Sequence, residues 1–210
     1  MYMPPAFEEN RLDALHEVID RNPLGTLITG AAGLVADHVP FLLDREGGTH
    51  GRGRLRAHIA RANGQAKLEG EVEALVVFLD VDHYVTPSWY ETKRQTGRVV
   101  PTWNYVAVHA AGRLTIIEDQ TWLRRQIGDL TRLHEADRET PWAVDDAPPE
   151  FVAGQIRGIV GVEIDIRTLQ GKWKLSQNRN AGDRDGVVQG LARERDVAGP
   201  RMSAMIDARR

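Results

Sequence analysis

Three stretches of this sequence concentrate polar, aromatic and glycine residues beyond what plain core strands need. They are LRAHIARAN at 55–63, TPSWYETK at 86–93 together with VVPTWNYVAVH at 99–109, and GKWKLSQNR at 171–179. A planar cofactor with a phosphorylated tail requires an aromatic or aliphatic wall, amides at the ring edge, and cations with hydroxyls for its anion. Trp89, Trp103 and Trp173 offer walls, and Asn104, Gln177 and Asn178 offer amides. Arg61, Lys93, Lys174 and Arg179 offer cations, and Thr102 and Ser176 offer hydroxyls. Each has an ordinary alternative. A strand tryptophan is more often core than ligand wall, Lys93 and Arg94 can be a solvated helix end, and His38, His58 and His109 can be hydrogen-bonded structural rings. The combination carries the reading.

Other chemistries find no support. The chain has no cysteine, which removes disulfides, thiolate metal sites and cysteine nucleophiles together and leaves redox work to a cofactor. There is no Walker loop, H-E-x-x-H helix or G-x-S-x-G elbow. GRGRLR at 51–56 lacks the third glycine of a dinucleotide loop and reads as a turn and strand. The seven histidines are scattered, so no metal site is expected. A net charge of -3, from 30 acidic and 27 basic residues, gives no field for a polyanion, and no helix-turn-helix is apparent, so direct DNA binding is disfavoured. The N-terminal MYMPPAFEEN has no secretory pattern and no run reaches the ~18 apolar residues of a membrane span. A soluble cytoplasmic protein is expected.

The elements that must position these residues are short. Leu12, Leu15, Val18 and Ile19 fall on one face of a helix over 10–21, closed by Asn22-Pro23. GTLITG and GLVADHVPFLLD read as a hairpin around Gly30 to Gly33. A third strand is expected near Thr49–Leu55, and the run EALVVFLD at 73–80 has the length of a buried strand. Val99–Ala110 alternates and is expected to turn at Gly112 into a return strand over 113–117; 160–168 reads as the last strand, ending in a Gln170-Gly171 turn. Helices are expected over 120–135, 149–159 and 183–193. Such a series predicts a mainly β fold with peripheral helices, a closed or split β-barrel, in one domain over 1–195 with 196–210 as a flexible tail.

The segments NPLGTLITG, GLVADHVPFLLD, LRAHIARAN, TPSWYETK, VVPTWNYVAVHAAGRL and GKWKLSQNR stand in the order and spacing of the PaiB-like family, described as FMN-binding negative transcriptional regulators, and the chain resembles that family over roughly residues 1–191. The resemblance implies an FMN-binding split barrel like that of pyridoxamine 5'-phosphate oxidases, usually a homodimer with flavin between subunits. It implies that His58, Arg61 and Asn63 lie near the FMN phosphate or ribityl chain, with Arg61 on the phosphate. Pro101, Thr102, Trp103 and Asn104 would line the isoalloxazine, with Lys93 among the cofactor contacts, and Lys174, Ser176, Gln177 and Asn178 would close the site. The chain departs from the pattern at Ala57, where a glycine is expected, and at Asn63-Gly64, where Asn-Pro is usual. Three functions stay open: an FMN protein that regulates transcription indirectly by flavin or metabolite sensing, a flavin-dependent oxidoreductase on a small amine-type metabolite, and a haem enzyme resembling N–N bond-forming synthases. In the third, His58 is the axial ligand.

Overall fold

Alternation of apolar and polar side chains is the local rule that builds the strands of this chain. Between Arg54 and Ala60, for instance, Leu55, Ala57 and Ile59 are buried, while Arg54, Arg56 and His58 stand half-buried on the other face. The computed structural model describes residues 1–30 and 33–209. Ala31 and Ala32, within the expected hairpin turn, and Arg210, the last residue of the expected tail, lie outside the described residues.

The strands are β1 (Glu8–Glu9), β2 (Leu24–Thr29), β3 (Val35–Pro40), β4 (Leu42–Asp44), β5 (Arg54–Ala60), β6 (Val72–Val85), β7 (Thr102–Ile117) and β8 (Ile159–Lys174). The helices are α1 (Leu12–Arg21), α2 (Glu91–Thr96), α3 (Gln120–Glu135), α4 (Pro149–Arg157), α5 (Ala181–Leu191) and α6 (Ala198–Asp207). The strands hydrogen-bond in the order β3-β2-β6-β7-β8-β5-β4, with β1 added to β8. β2 pairs antiparallel with β3 (Thr26 opposite His38) and with β6, as β5 does with β8 (His58 opposite Gly161). This is the split β-barrel with peripheral helices that the sequence predicts.

Several boundaries differ from expectation, each for a physical reason. β5 starts at Arg54, not Thr49, because the Thr49 backbone N–H and hydroxyl are engaged by the Asp165 carboxylate at 3.0 and 2.6 Å. Gly112 makes no turn: β7 runs straight through it. A Cβ there would lie 1.9 Å from the Asp165 carbonyl oxygen, so glycine at 112 permits a close backbone approach rather than a reversal. Gly171 likewise lies inside β8, where a Cβ would meet Leu15 at 2.1 Å.

The chain divides into two compact units, and the long strands β6, β7 and β8 each supply residues to both. One unit comprises 19–78 and 109–169. Its core includes Leu27, Val39, Phe41, Leu55, Val76 and Phe78, with Phe41 and Phe78 edge to face at 5.9 Å, and a second cluster of Leu123, Val152 and Ile156 under α3 and α4. We call it the β5 unit. The other comprises 1–18, 79–108 and 170–210, and we call it the β1 unit. Its buried residues include Val81, Val85, Tyr90, Trp173, Leu175 and Leu191. The expected tail is a correction here. Residues 198–207 form α6, which buries Met202 and Ile206 and packs on α5. Arg201 is paired with Asp80, and Arg209 with Glu9, both at 2.5 Å. No helix among the described residues is long and apolar enough to cross a membrane.

Candidate functional site

The strand β5 carries His58 into a cleft of about 360 Å³ in the β5 unit, lined by Asp37, His38, Pro40, His58, Asn63 and Ile159 among others. His58 belongs to a strand, and its burial holds the imidazole below the ordinary histidine range, which favours the neutral form. Its Nδ1 is buried without a hydrogen-bond partner, which leaves Nε2 as the nitrogen that can reach the cleft. Ala57, on the opposite face of the strand, is fully buried, so its methyl points away from the cleft.

Asn63 caps the short turn Gly64–Lys67 by accepting from the Gln65 backbone N–H at 2.8 Å. Its amide also donates to Asp37 at 3.0 Å, and the Gln65 amide donates to the same carboxylate oxygen at 2.5 Å. Gln65 in turn accepts from the Thr29 hydroxyl at 2.8 Å. These bonds hold the Asp37 carboxyl below the usual carboxylate range and keep it ionised. Asp37 and Gln65 were missed by sequence reasoning. Gln65, two residues past the HxARxN run, was the available signal.

Arg61 does not line this cleft. Its Nε and Nη2 donate to the carbonyls of Arg157 and Ile159 at 3.1 and 3.2 Å, and its Nη1 pairs with Glu118 at 2.8 Å. That pair is 44% and 68% exposed, a geometry worth at most about 1 kcal/mol and open to exchange with another anion.

In the β1 unit, the VVPTWNY and GKWKLSQNR stretches meet through hydrogen bonds. The Lys174 ammonium donates to the Thr102 hydroxyl at 2.5 Å and to the Trp103 carbonyl. Asn104, buried in β7, donates to the Ser176 hydroxyl at 2.9 Å. Ser176 holds a left-handed backbone (φ 62°), uncommon for a residue with a side chain, and this buried bond fixes it. Gln177 is occupied by the turn itself, accepting from Leu175 N–H and donating to the Trp173 carbonyl. Asn178 and Pro101 are exposed, and Asn178 makes no side-chain hydrogen bond among the described residues.

The three tryptophans separate. Trp173 is buried with Arg209 over its ring, a core residue. Trp89 packs on α5, where a Cβ at Gly190 would come within 2.3 Å of its indole. Trp103 is 54% exposed with Tyr84 edge to face at 5.9 Å and is the one free to stack on a ligand. Lys93 donates to Ser88 at 3.1 Å from α2, an element held by Asp183, whose buried carboxylate accepts from the Thr92 N–H and hydroxyl at 2.8 and 2.9 Å. The predicted residues thus form two groups in separate units: His58 with Asn63, and Thr102, Trp103 and Asn104 with Lys174, Ser176 and Gln177.

The sheet and its peripheral helices define a split-barrel protein. The family described as "Putative FMN-binding domain" matches residues 1–168. The chain belongs to this PaiB-like family. It is 28% identical to protease synthase and sporulation protein PAI 2 of Bacillus subtilis, over 99% of this chain and 97% of that one. An uncharacterized protein of Emericella nidulans is 38% identical over 91% of this chain and 90% of its own length. Among solved structures, the fold is similar to that of a conserved hypothetical protein from Mycobacterium tuberculosis (TM-score 0.55, 14% identity, 86% of this chain and 94% of that one). It is similar also to the flavocytochrome Anf3 from Azotobacter vinelandii (TM-score 0.52, 15% identity, 80% and 69%).

Proposed function

We propose that this protein binds FMN, with the His58 cleft of the β5 unit as part of the cofactor site. The observation that carries the reading is the His58 ring: desolvated, unpartnered at Nδ1, and set at a cleft of about 360 Å³, within the range of ligand pockets. Nδ1 is enclosed, so Nε2 is the nitrogen that a ligand in the cleft meets. Ionised Asp37 in the same cleft repels a phosphate but accepts from hydroxyls, so the cleft suits the ribityl chain or a ring N–H rather than the phosphate. When bound, FMN supplies hydride and electron transfer. His58 and Asp37 orient it, and Asn63 and Gln65 hold Asp37 in place.

Titration of flavin-free protein with FMN, followed by flavin fluorescence, tests this. We expect His58→Ala and Asp37→Asn each to weaken binding about tenfold, the equivalent of ~1.4 kcal/mol. Unchanged affinity in both variants contradicts the assignment.

A regulatory role, in this reading, works through flavin or metabolite sensing by a homodimer, since a chain of net charge -3 has little general attraction for DNA. A second reading rests on the same ring. A neutral imidazole with a free Nε2 is also a haem ligand, and a Soret band in the purified protein, lost in His58→Ala, would favour it.

A further inference from the structure

We propose that His83, Glu194 and Asp196 of the β1 unit bind a divalent transition-metal ion of the zinc class. One ligand atom from each residue, an imidazole nitrogen and two carboxylate oxygens, lies within 4.8 Å of the other two. His83 Nε2 stands 3.3 Å from Asp196 Oδ2. Two ligands at ~2.1 Å from one tetrahedral zinc lie ~3.4 Å apart, so this pair already has the spacing of a shared ion. His83 comes from β6, and the two acids come from the connection between α5 and α6. All three belong to one compact unit.

Two of the ligands are oriented by backbone groups outside the cluster. The Tyr84 carbonyl accepts from His83 Nδ1–H at 2.6 Å, which makes Nε2 of the neutral ring a lone pair aimed at the Asp196 carboxylate. Asp196 Oδ1 accepts from the Gly199 N–H at 2.7 Å, which leaves Oδ2 for His83. A ring N–H held by a carbonyl and a carboxylate held by its second oxygen are the arrangement that fixes ligands around a metal. The His83 side chain is only 12% exposed and lies beside Trp89, ring centroids 6.3 Å apart, which packs in turn on Gly190 of α5. Glu194 is brought in by Gly199, where a Cβ would lie 2.6 Å from the Glu194 Cβ.

A lone pair and a carboxylate that face each other are joined by a positive charge. A proton serves the two partners of an ordinary histidine and aspartate pair, but it has no use for Glu194, the third donor. Glu194 forms no ion pair or side-chain hydrogen bond with a described residue. Its neighbours Arg193 and Arg195 pair with neither carboxylate, and Arg201 of α6 is committed to Asp80. No arginine therefore takes the place of a metal. Imidazole favours ions of the zinc type over Mg²⁺ and Ca²⁺, which take oxygen ligands, and three protein ligands leave a fourth position to water. The bound ion clamps the α5–α6 connection to β6.

The test is calorimetric titration of the full chain, cleared of metal with a chelator, with zinc chloride. The variants are His83→Gln, Glu194→Gln, Asp196→Asn and His134→Gln, the last an exposed histidine of α3. We expect one saturable site in wild type and His134→Gln, weakened at least tenfold in the other three, with magnesium chloride giving no comparable site. Equal zinc binding in all variants, or no saturable site in wild type, overturns the inference. So does Mg²⁺ bound as tightly as zinc, which is ordinary attraction to exposed acids. Circular dichroism checks each fold; should His83→Gln fail to fold, Glu194→Gln decides, since that side chain is exposed and a bare ion pair of His83 with Asp196 has no need of it. Neither outcome bears on the flavin reading.

Discussion

Arg61 and Lys174 are both cations in family-like motifs, yet their surroundings are opposite. Around β5 the polar groups balance one another: Arg61 has Glu118 and two carbonyls, and Asn63 and Gln65 share Asp37. In the GKWKLSQNR stretch the half-buried Lys174 ammonium meets the Thr102 hydroxyl and the Trp103 carbonyl, both neutral. Motif membership makes both residues candidates, and the balance of charge around them tells them apart.

The largest effect bears on how firmly the β1 unit is built. Asp183→Ala removes a buried carboxylate that accepts from Thr92 and Asn180 and holds α2 to α5. Chemical unfolding should show a loss of about 3 kcal/mol. A loss under ~1 kcal/mol would mean that α2 and Lys93 are held by something else.

Glu9 sharpens the contrast from the acid side. Arg11 and Arg209 bring its carboxyl down to about 2 although burial alone would raise it. A carboxyl lowered on folding stabilises above its unfolded pKa near 4.5 and loses that contribution as pH falls toward 2. Stability measured across that window should fall by roughly 2–3 kcal/mol in wild type. Glu9→Gln should be less stable at neutral pH and flatter over the same window; parallel curves would contradict the pairing.

The two cations should then part company. Lys174→Gln gives up a half-buried charge together with its bonds to two neutral acceptors, so its stability should stay within about 1 kcal/mol of wild type by thermal unfolding. Arg61→Ala gives up one exposed ion pair and two hydrogen bonds to carbonyls, roughly 1–2 kcal/mol by thermal unfolding. A large loss in Arg61→Ala with none of ligand would make Arg61 purely a clamp on the Arg157 and Ile159 carbonyls.

Much of this was legible beforehand. Period-two and period-3.6 patterns located the hairpin of β2 and β3, the strand β6 and the helices α1, α3, α4 and α5, because burial of one face is a local property of sequence. Glycines misled at 112 and 171, since a glycine that admits a neighbouring backbone or side chain looks in sequence like one that turns the chain. α6 was missed because LARERDVAGPRMSAMIDARR is charged overall and its buried Met202 and Ile206 are few. At the site, the residue types in the three stretches were readable, and the hydrogen bond from Asn104 to Ser176 and the bonds from Lys174 join two of those stretches. Asp37 was not readable, because its role depends on a tertiary contact with Asn63 that no spacing encodes.

The central claim is that this protein holds FMN. It is tested most directly by the absorption spectrum of the protein as isolated, with mass identification of whatever small molecule it releases on denaturation. The account predicts flavin bands and the mass of FMN, whereas a colourless protein that takes up no added FMN would contradict it.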